Sequence, residues 1–217
     1  MCKNWPDSLR VNGATGGLIG DTAMICGGRA DSYMGDECYS LTSEKATLVT
    51  HMLVWRENAA SIVFNENILW VTGGYGPSGF LASTEYVTMT GTMPGPDLPK
   101  DLSNHAMVAI NSTCSMVIGG SYSWSTHYFD HSEHDWINGP SLIKLRSGHA
   151  AGIVTDEMTD ENFVAVTGGY GQAGQLSEIL QDGNWVQGKI NGPALVNLGQ
   201  MGKFQMPHMI SGLRPFI

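Results

Sequence analysis

The chain's 217 residues are enough for one sizeable folded core, and only 14% of them are charged while 28 are glycine, the profile of a turn-rich β protein rather than a helical or disordered one. A net charge of −9 argues against nucleic acid and anionic membrane surfaces as partners. No apolar run approaches the roughly 18 residues needed to span a bilayer, and the first residues, Met1-Cys2-Lys3-Asn4-Trp5-Pro6-Asp7, hold no apolar signal core, which leans toward an intracellular location.

Taken in order, the chain repeats itself. Val71-Thr72-Gly73-Gly74-Tyr75-Gly76 returns as Val166-Thr167-Gly168-Gly169-Tyr170-Gly171, with weaker copies at Ile25-Cys26-Gly27-Gly28 and Val117-Ile118-Gly119-Gly120. The first glycines fall at 27, 73, 119 and 168, steps of 46, 46 and 49, and a fixed step of that size marks a repeat architecture. A second landmark, an alanine at 14, 60, 106 and 150, keeps the same beat. The longer final step is absorbed by the acidic insertion Thr155–Asn162. No Lys-Ser or Lys-Thr follows any glycine pair, so a phosphate-cradling loop is a poor reading.

Each copy reads as four short strands. The first is rich in small residues, as in Ala59-Ala60-Ser61-Ile62-Val63; the second is the most apolar, as in Ile68-Leu69-Trp70-Val71-Thr72, and ends at the glycine pair. The third is more polar, as in Thr84-Glu85-Tyr86-Val87 or Ser177-Glu178-Ile179-Leu180. Asp182-Gly183 then signals a tight hairpin. The fourth carries Trp136 or Trp185, and Gly-Pro recurs after it at 95–96, 139–140 and 192–193.

This pattern resembles the Kelch repeat, the four-stranded blade of a β-propeller, in which a glycine pair closes the second strand, an aromatic sits in the third and a tryptophan in the fourth. The resemblance covers roughly residues 10–198, with repeats at about 11–56, 57–102, 103–146 and 147–198. Two copies depart from it, with Ala46 and Thr92 in the tryptophan's place. Residues 1–10 fit the exit strand of a preceding blade, with Arg10 aligned to Arg146, and 199–217 read as a degenerate or truncated blade. The chain is expected to be part of a larger ring, or a degenerate small one, and an open ring would expose sheet edges that favour self-association.

The four cysteines, Cys2, Cys26, Cys38 and Cys114, form no CxxC pair. Cys26 and Cys38 fall on neighbouring strands of one hairpin; free buried thiols are the expectation and a disulfide the alternative. Asn111-Ser112-Thr113 matches a glycosylation acceptor, a pattern that arises easily by chance. His127, His131 and His134 with Asp130, Glu133 and Asp135 are the set most like a metal site. Their place in a turn between strands favours a solvated turn instead, and neither metal nor cofactor is expected. His105 and His149 recur at the head of inner strands and are expected to make structural hydrogen bonds, since no serine, cysteine or carboxylate recurs with them as a triad.

By resemblance to Kelch substrate adaptors, contacts with a partner come from the residue after each glycine pair and from residues just before the inner strand. Those are Arg29, Tyr75, Ser121 and Tyr170, and Arg10, Arg56, Asn58, Asn104, Arg146 and Ser147. Tyrosine and arginine dominate binding hot spots, and the arginines suggest an acidic peptide. The expected function is a non-catalytic protein-interaction module. The alternatives are a sugar-handling propeller enzyme, similar to mutarotases or copper oxidases, and a structural scaffold.

Overall fold

The computed structural model describes residues 11–30, 33–121, 123–156, 159–171 and 176–188. Arg10 and the end segments 1–10 and 199–217, together with the Gly192-Pro193 exit, lie outside these ranges. The described chain is all β, in four successive four-stranded antiparallel sheets. Sheet I holds β1 (Thr15–Ile19), β2 (Thr22–Cys26), β5 (Glu37–Leu41) and β6 (Ala46–His51), with a small hairpin of β3 (Arg29–Ala30) and β4 (Tyr33–Met34) inserted. Sheet II holds β7 (Ala60–Phe64), β8 (Ile68–Thr72), β11 (Thr84–Thr88) and β12 (Gly91–Pro94), with the hairpin β9 (Tyr75–Gly76) and β10 (Gly79–Phe80). Sheet III holds β13 (Ala106–Ala109), β14 (Cys114–Ile118), β15 (Thr126–Asp130) and β16 (Asp135–Asn138). Sheet IV holds β18 (Ala150–Thr155), β19 (Asn162–Thr167), β21 (Ser177–Gln181) and β22 (Asn184–Gly188). At its head β17 (Arg146–Ser147) pairs with β20 (Tyr170–Gly171). Among the described residues there is no helix, hence none long and apolar enough to cross a membrane.

Local chemistry sets these elements. β8 is β-branched and aromatic, and its last four residues are buried. Asp182 and Gly183 both take positive φ, 50° and 74°, as the two-residue hairpin between β21 and β22 requires. The recurring Gly-Pro has a steric cause. A Cβ at Gly139 would lie 2.4 Å from Thr126 Oγ1, whose hydroxyl donates to the Pro140 carbonyl at 2.8 Å, and Gly95, Thr84 and Pro96 repeat the arrangement.

The sheets stack face on face, each inner strand beside the next: β1 on β7, β7 on β13, β13 on β18. Three apolar clusters fill the gaps. Ile19, Met24, Cys26 and Cys38 on the front of sheet I meet Leu69, Val71 and Val87 on the back of sheet II. Trp70 and Ala60 on the front of sheet II meet Met107, Val117 and Phe129. Val108, Met116 and Ile118 on the front of sheet III meet Val164, Val166 and Trp185. Trp70 is fully buried, with the Phe129 ring edge-on at 4.8 Å.

The expectation of free thiols at Cys26 and Cys38 is corrected: the two residues face each other across β2 and β5, with Cα atoms 4.1 Å apart, and form a disulfide. Cys114 is free.

The glycine pairs sit where the backbone of the next junction crosses. Gly73 has φ +56°, and a Cβ there would lie 2.5 Å from the Leu102 carbonyl oxygen and 2.8 Å from the His105 ring. Gly73→Ala combines left-handed strain with a backbone clash, so it is expected to lower stability by about 2–4 kcal/mol in urea unfolding. A change below about 0.5 kcal/mol would contradict this packing.

Candidate loop face and its buried supports

The heads of the four sheets are built alike. The residue after each glycine pair bonds back to the linker that precedes the inner strand. Arg29 and Asn12 exchange N–H···O bonds of 2.9 Å, and Tyr75 and Glu57 do so at 2.8 and 2.9 Å. Ser121 N donates to Ser103 O at 2.8 Å, and Ser103 N donates to Ser121 Oγ at 2.7 Å. Ser147 and Tyr170 are paired in the β17–β20 ladder.

One residue further on, a relay of main-chain hydrogen bonds runs from sheet to sheet. Asn58 N donates to Gly13 O at 2.7 Å, Asn104 N to Asn58 O at 2.9 Å and Gly148 N to Asn104 O at 2.8 Å. All four relay residues have positive φ, between 54° and 70°. Asparagine is the side-chain-bearing residue that best tolerates that conformation, which accounts for Asn58 and Asn104 where the other two copies carry glycine.

On this framework the exposed side chains are Tyr75 at 42% and Tyr170 at 70%, with Arg29 also exposed. Arg29 Nη1 lies 3.9 Å from Glu57 Oε1. Ser121 and Ser147 are half-buried, as are Asn58 and Asn104. Two aromatics missing from the sequence reading join them: Phe80, edge-on to Tyr75 at 5.9 Å, and Trp124, 57% exposed. Their signal was present, because each lies in the variable loop that follows a glycine pair.

Arg56 and Arg146 are corrected. Expected on the loop face, they are 1% and 0% exposed and point into the sheets. Arg56 donates from Nη1 to Gly73 O at 2.7 Å and Ser83 O at 2.8 Å, and from Nη2 to Glu85 Oε1 at 2.5 Å. Glu85 in turn accepts from Leu53 N at 2.6 Å and Val54 N at 3.1 Å. Arg146 repeats the design. It donates to Glu178 at 2.9 Å, Gly168 O at 2.9 Å and Leu176 O at 2.6 Å, while Glu178 holds Ile143 N and Lys144 N. Burial lowers the pKa of Arg56 and the Glu85 carboxylate opposes that shift. Each ion pair thus fastens a linker to its sheet, and its hydrogen bonds are all made inside the protein.

The histidines divide. His105 Nε2 lies 2.9 Å from the Thr72 hydroxyl, the structural bond expected of it. His149 occupies the corresponding place over Gly119, but Ile118 stands where sheet II has Thr72, so its ring has no side-chain hydrogen bond and the Ile118 backbone is what opposes the lowering of its pKa. Burial pushes both imidazoles down to about 3; the neighbouring His149 adds to this at His105, and Arg146 adds to it at His149. In the 130–135 turn, Ser132, Glu133, His134 and Asp135 are exposed, and Asp130 Oδ1 accepts from Ser132 N. His131 departs from the solvated reading: it stacks on Phe64 at 4.3 Å and lies 2.8 Å from Ser115 Oγ. His127 is a buried strand residue. Among the described residues no three His, Cys, Asp or Glu side chains are placed to hold a metal ion.

Comparison with known protein families finds no family that matches this chain, and no curated protein matches it.

Proposed function

We propose that the chain is a non-catalytic protein-interaction module, a Kelch-type β-propeller segment that grips a peptide or protein through its loop face. The observation that carries this reading is the junction architecture. Arg29, Tyr75, Ser121 and Tyr170 stand on backbone that is hydrogen-bonded at every copy, so exposed aromatic and cationic groups are held in place before a partner arrives. Pre-organisation of that kind lowers the ordering cost of binding, and rigid tyrosines are efficient anchors. With Arg56 and Arg146 inside, Arg29 is the arginine of the predicted set left on this face among the described residues. Acidic peptide contact therefore centres on sheet I, and aromatic packing from Tyr75, Phe80, Trp124 and Tyr170 carries the remainder. The burial of His105 and His149 supports a non-catalytic reading, since neither can reach a substrate at the surface.

The test is selection of peptides on the full chain, followed by titration against variants. Tyr75→Ala with Tyr170→Ala is expected to weaken the selected peptides about 30-fold or more. Asp21→Ala, on the β1–β2 turn at the opposite end of sheet I, should leave affinity unchanged. Equal affinity in the tyrosine double variant would remove the loop face from consideration.

A further inference from the structure

Among the described residues three sheet-to-sheet interfaces repeat one plan, and sheets I and IV each keep one face that no described sheet covers. The residues of the back face are equivalent by register. Leu69 and Val71 in sheet II, Ser115 and Val117 in sheet III, and Val164 and Val166 in sheet IV are each no more than 5% exposed beneath the preceding sheet. In sheet I the same places hold Ala23 and Ile25, neither of them buried, and Leu18 opposite Ala23 is 57% exposed. This face is apolar like its counterparts, and among the described residues no sheet precedes it.

Sheet IV shows the complementary surface. Its front row runs Gly152, Ala165, Ile179 and Val186 across the four strands. Ala165 and Ile179 are buried, Val186 is 38% exposed, and a Cβ added at Gly152 would enter open space. At the equivalent place in sheet I, a Cβ at Gly17 would touch Val63 and Leu69 of sheet II. In sheet I a glycine on the front face thus receives large aliphatic residues from the next back face, and Gly152 offers the same place to a residue like Leu18. The main-chain relay is polarised in the same sense. It starts at Gly13, whose carbonyl is used, and ends at Gly148, whose N–H is used, leaving a donor at one end and an acceptor at the other as its terminal groups.

We propose that the front of sheet IV seats the back of sheet I from a second copy of this chain, head to tail. Leu18 of one copy covers Gly152 of the other, and Gly13 N–H continues the relay onto Gly148 C=O. The contact extends an interface already made three times within the chain, and its two halves are different surfaces, so it is heterologous. It does not depend on the loop-face reading, because it uses sheet faces rather than loops.

The test is sedimentation velocity of the full chain across the micromolar range, alongside Leu18→Arg and Gly152→Arg. Both sites are open in the single chain, so both variants should keep its circular dichroism and melting midpoint. The wild-type chain is expected to sediment as two copies or more of the 23.3 kDa unit, and each variant as one. Mixing the two variants, each with one intact half, should restore a two-copy species. A wild-type chain that stays at 23.3 kDa throughout, because its own remaining residues cover these faces, overturns the proposal. So does assembly that survives either substitution, or a mixture that does not associate.

Discussion

Glu85→Ala is expected to cost about 3–5 kcal/mol of folding stability, because it leaves the Arg56 guanidinium buried without its countercharge. The same change frees Leu53 N and Val54 N, which the carboxylate now holds at 2.6 and 3.1 Å. The exposed pair Arg29 and Glu57, 3.9 Å apart, should by contrast be worth less than about 1 kcal/mol. Sheet III offers an internal control. Where sheets II and IV place Arg56 with Glu85 and Arg146 with Glu178, sheet III has Leu102 with His127, opposite Val117 as Glu85 is opposite Val71. Both charges change together, as the cost of an orphaned ion demands. Arg56→Leu combined with Glu85→His should therefore recover roughly half or more of the loss seen in Glu85→Ala alone. Urea midpoints of Glu85→Ala, of the double variant and of Arg56→Leu and Glu85→His singly measure this, and losses that add from the singles to the double would show that the pair is not coupled.

Acid is expected to weaken the fold well above the range where carboxylates titrate. His105 and His149 are held at about 3 by burial, below the ordinary histidine value near 6.5. The unfolded chain therefore takes up protons that the folded chain refuses as pH falls from 6.5 toward 3, so stability is present above that window and declines through it. Between pH 7 and pH 5 each imidazole should cost about 2 kcal/mol, or about 4 kcal/mol for the two. His127 and His131, lowered chiefly by burial, act in the same direction. The double variant His105→Gln with His149→Gln should flatten the slope of stability against pH over that interval, whatever it does to stability at pH 7. An unchanged slope would mean that these imidazoles are not the groups responsible.

The repeat itself was legible because it rests on short-range rules. Glycine pairs at fixed steps, small residues in the first strand and apolar runs in the second are each dictated by local sterics, and the sheets lie where those rules put them. The positions after the glycine pairs were legible for the same reason. The direction of a side chain was not. Arg56, on the linker into sheet II, and Tyr75, after its glycine pair, both sit at the same junction, yet one turns inward and the other outward. The deciding residue, Glu85, is 29 positions from Arg56 and meets it across the sheet. The Cys26–Cys38 bond depended on register: only the pairing of β2 with β5, set by a hairpin insert between them, brings the two into opposition. His131 was misread because the solvated turn begins one residue after it, at Ser132.

The loop face is tested most directly by hydrogen exchange on the full chain with and without a selected peptide. Added protection is expected at 27–29, 73–80, 119–121 and 169–171, and in the linkers at 12–13, 57–58, 103–104 and 147–148. The turns at the far end, 20–21, 65–67 and 182–183, should exchange as before. Protection confined to those turns or to the outer strands β6, β12, β16 and β22, with the junctions unaffected, would contradict the assignment.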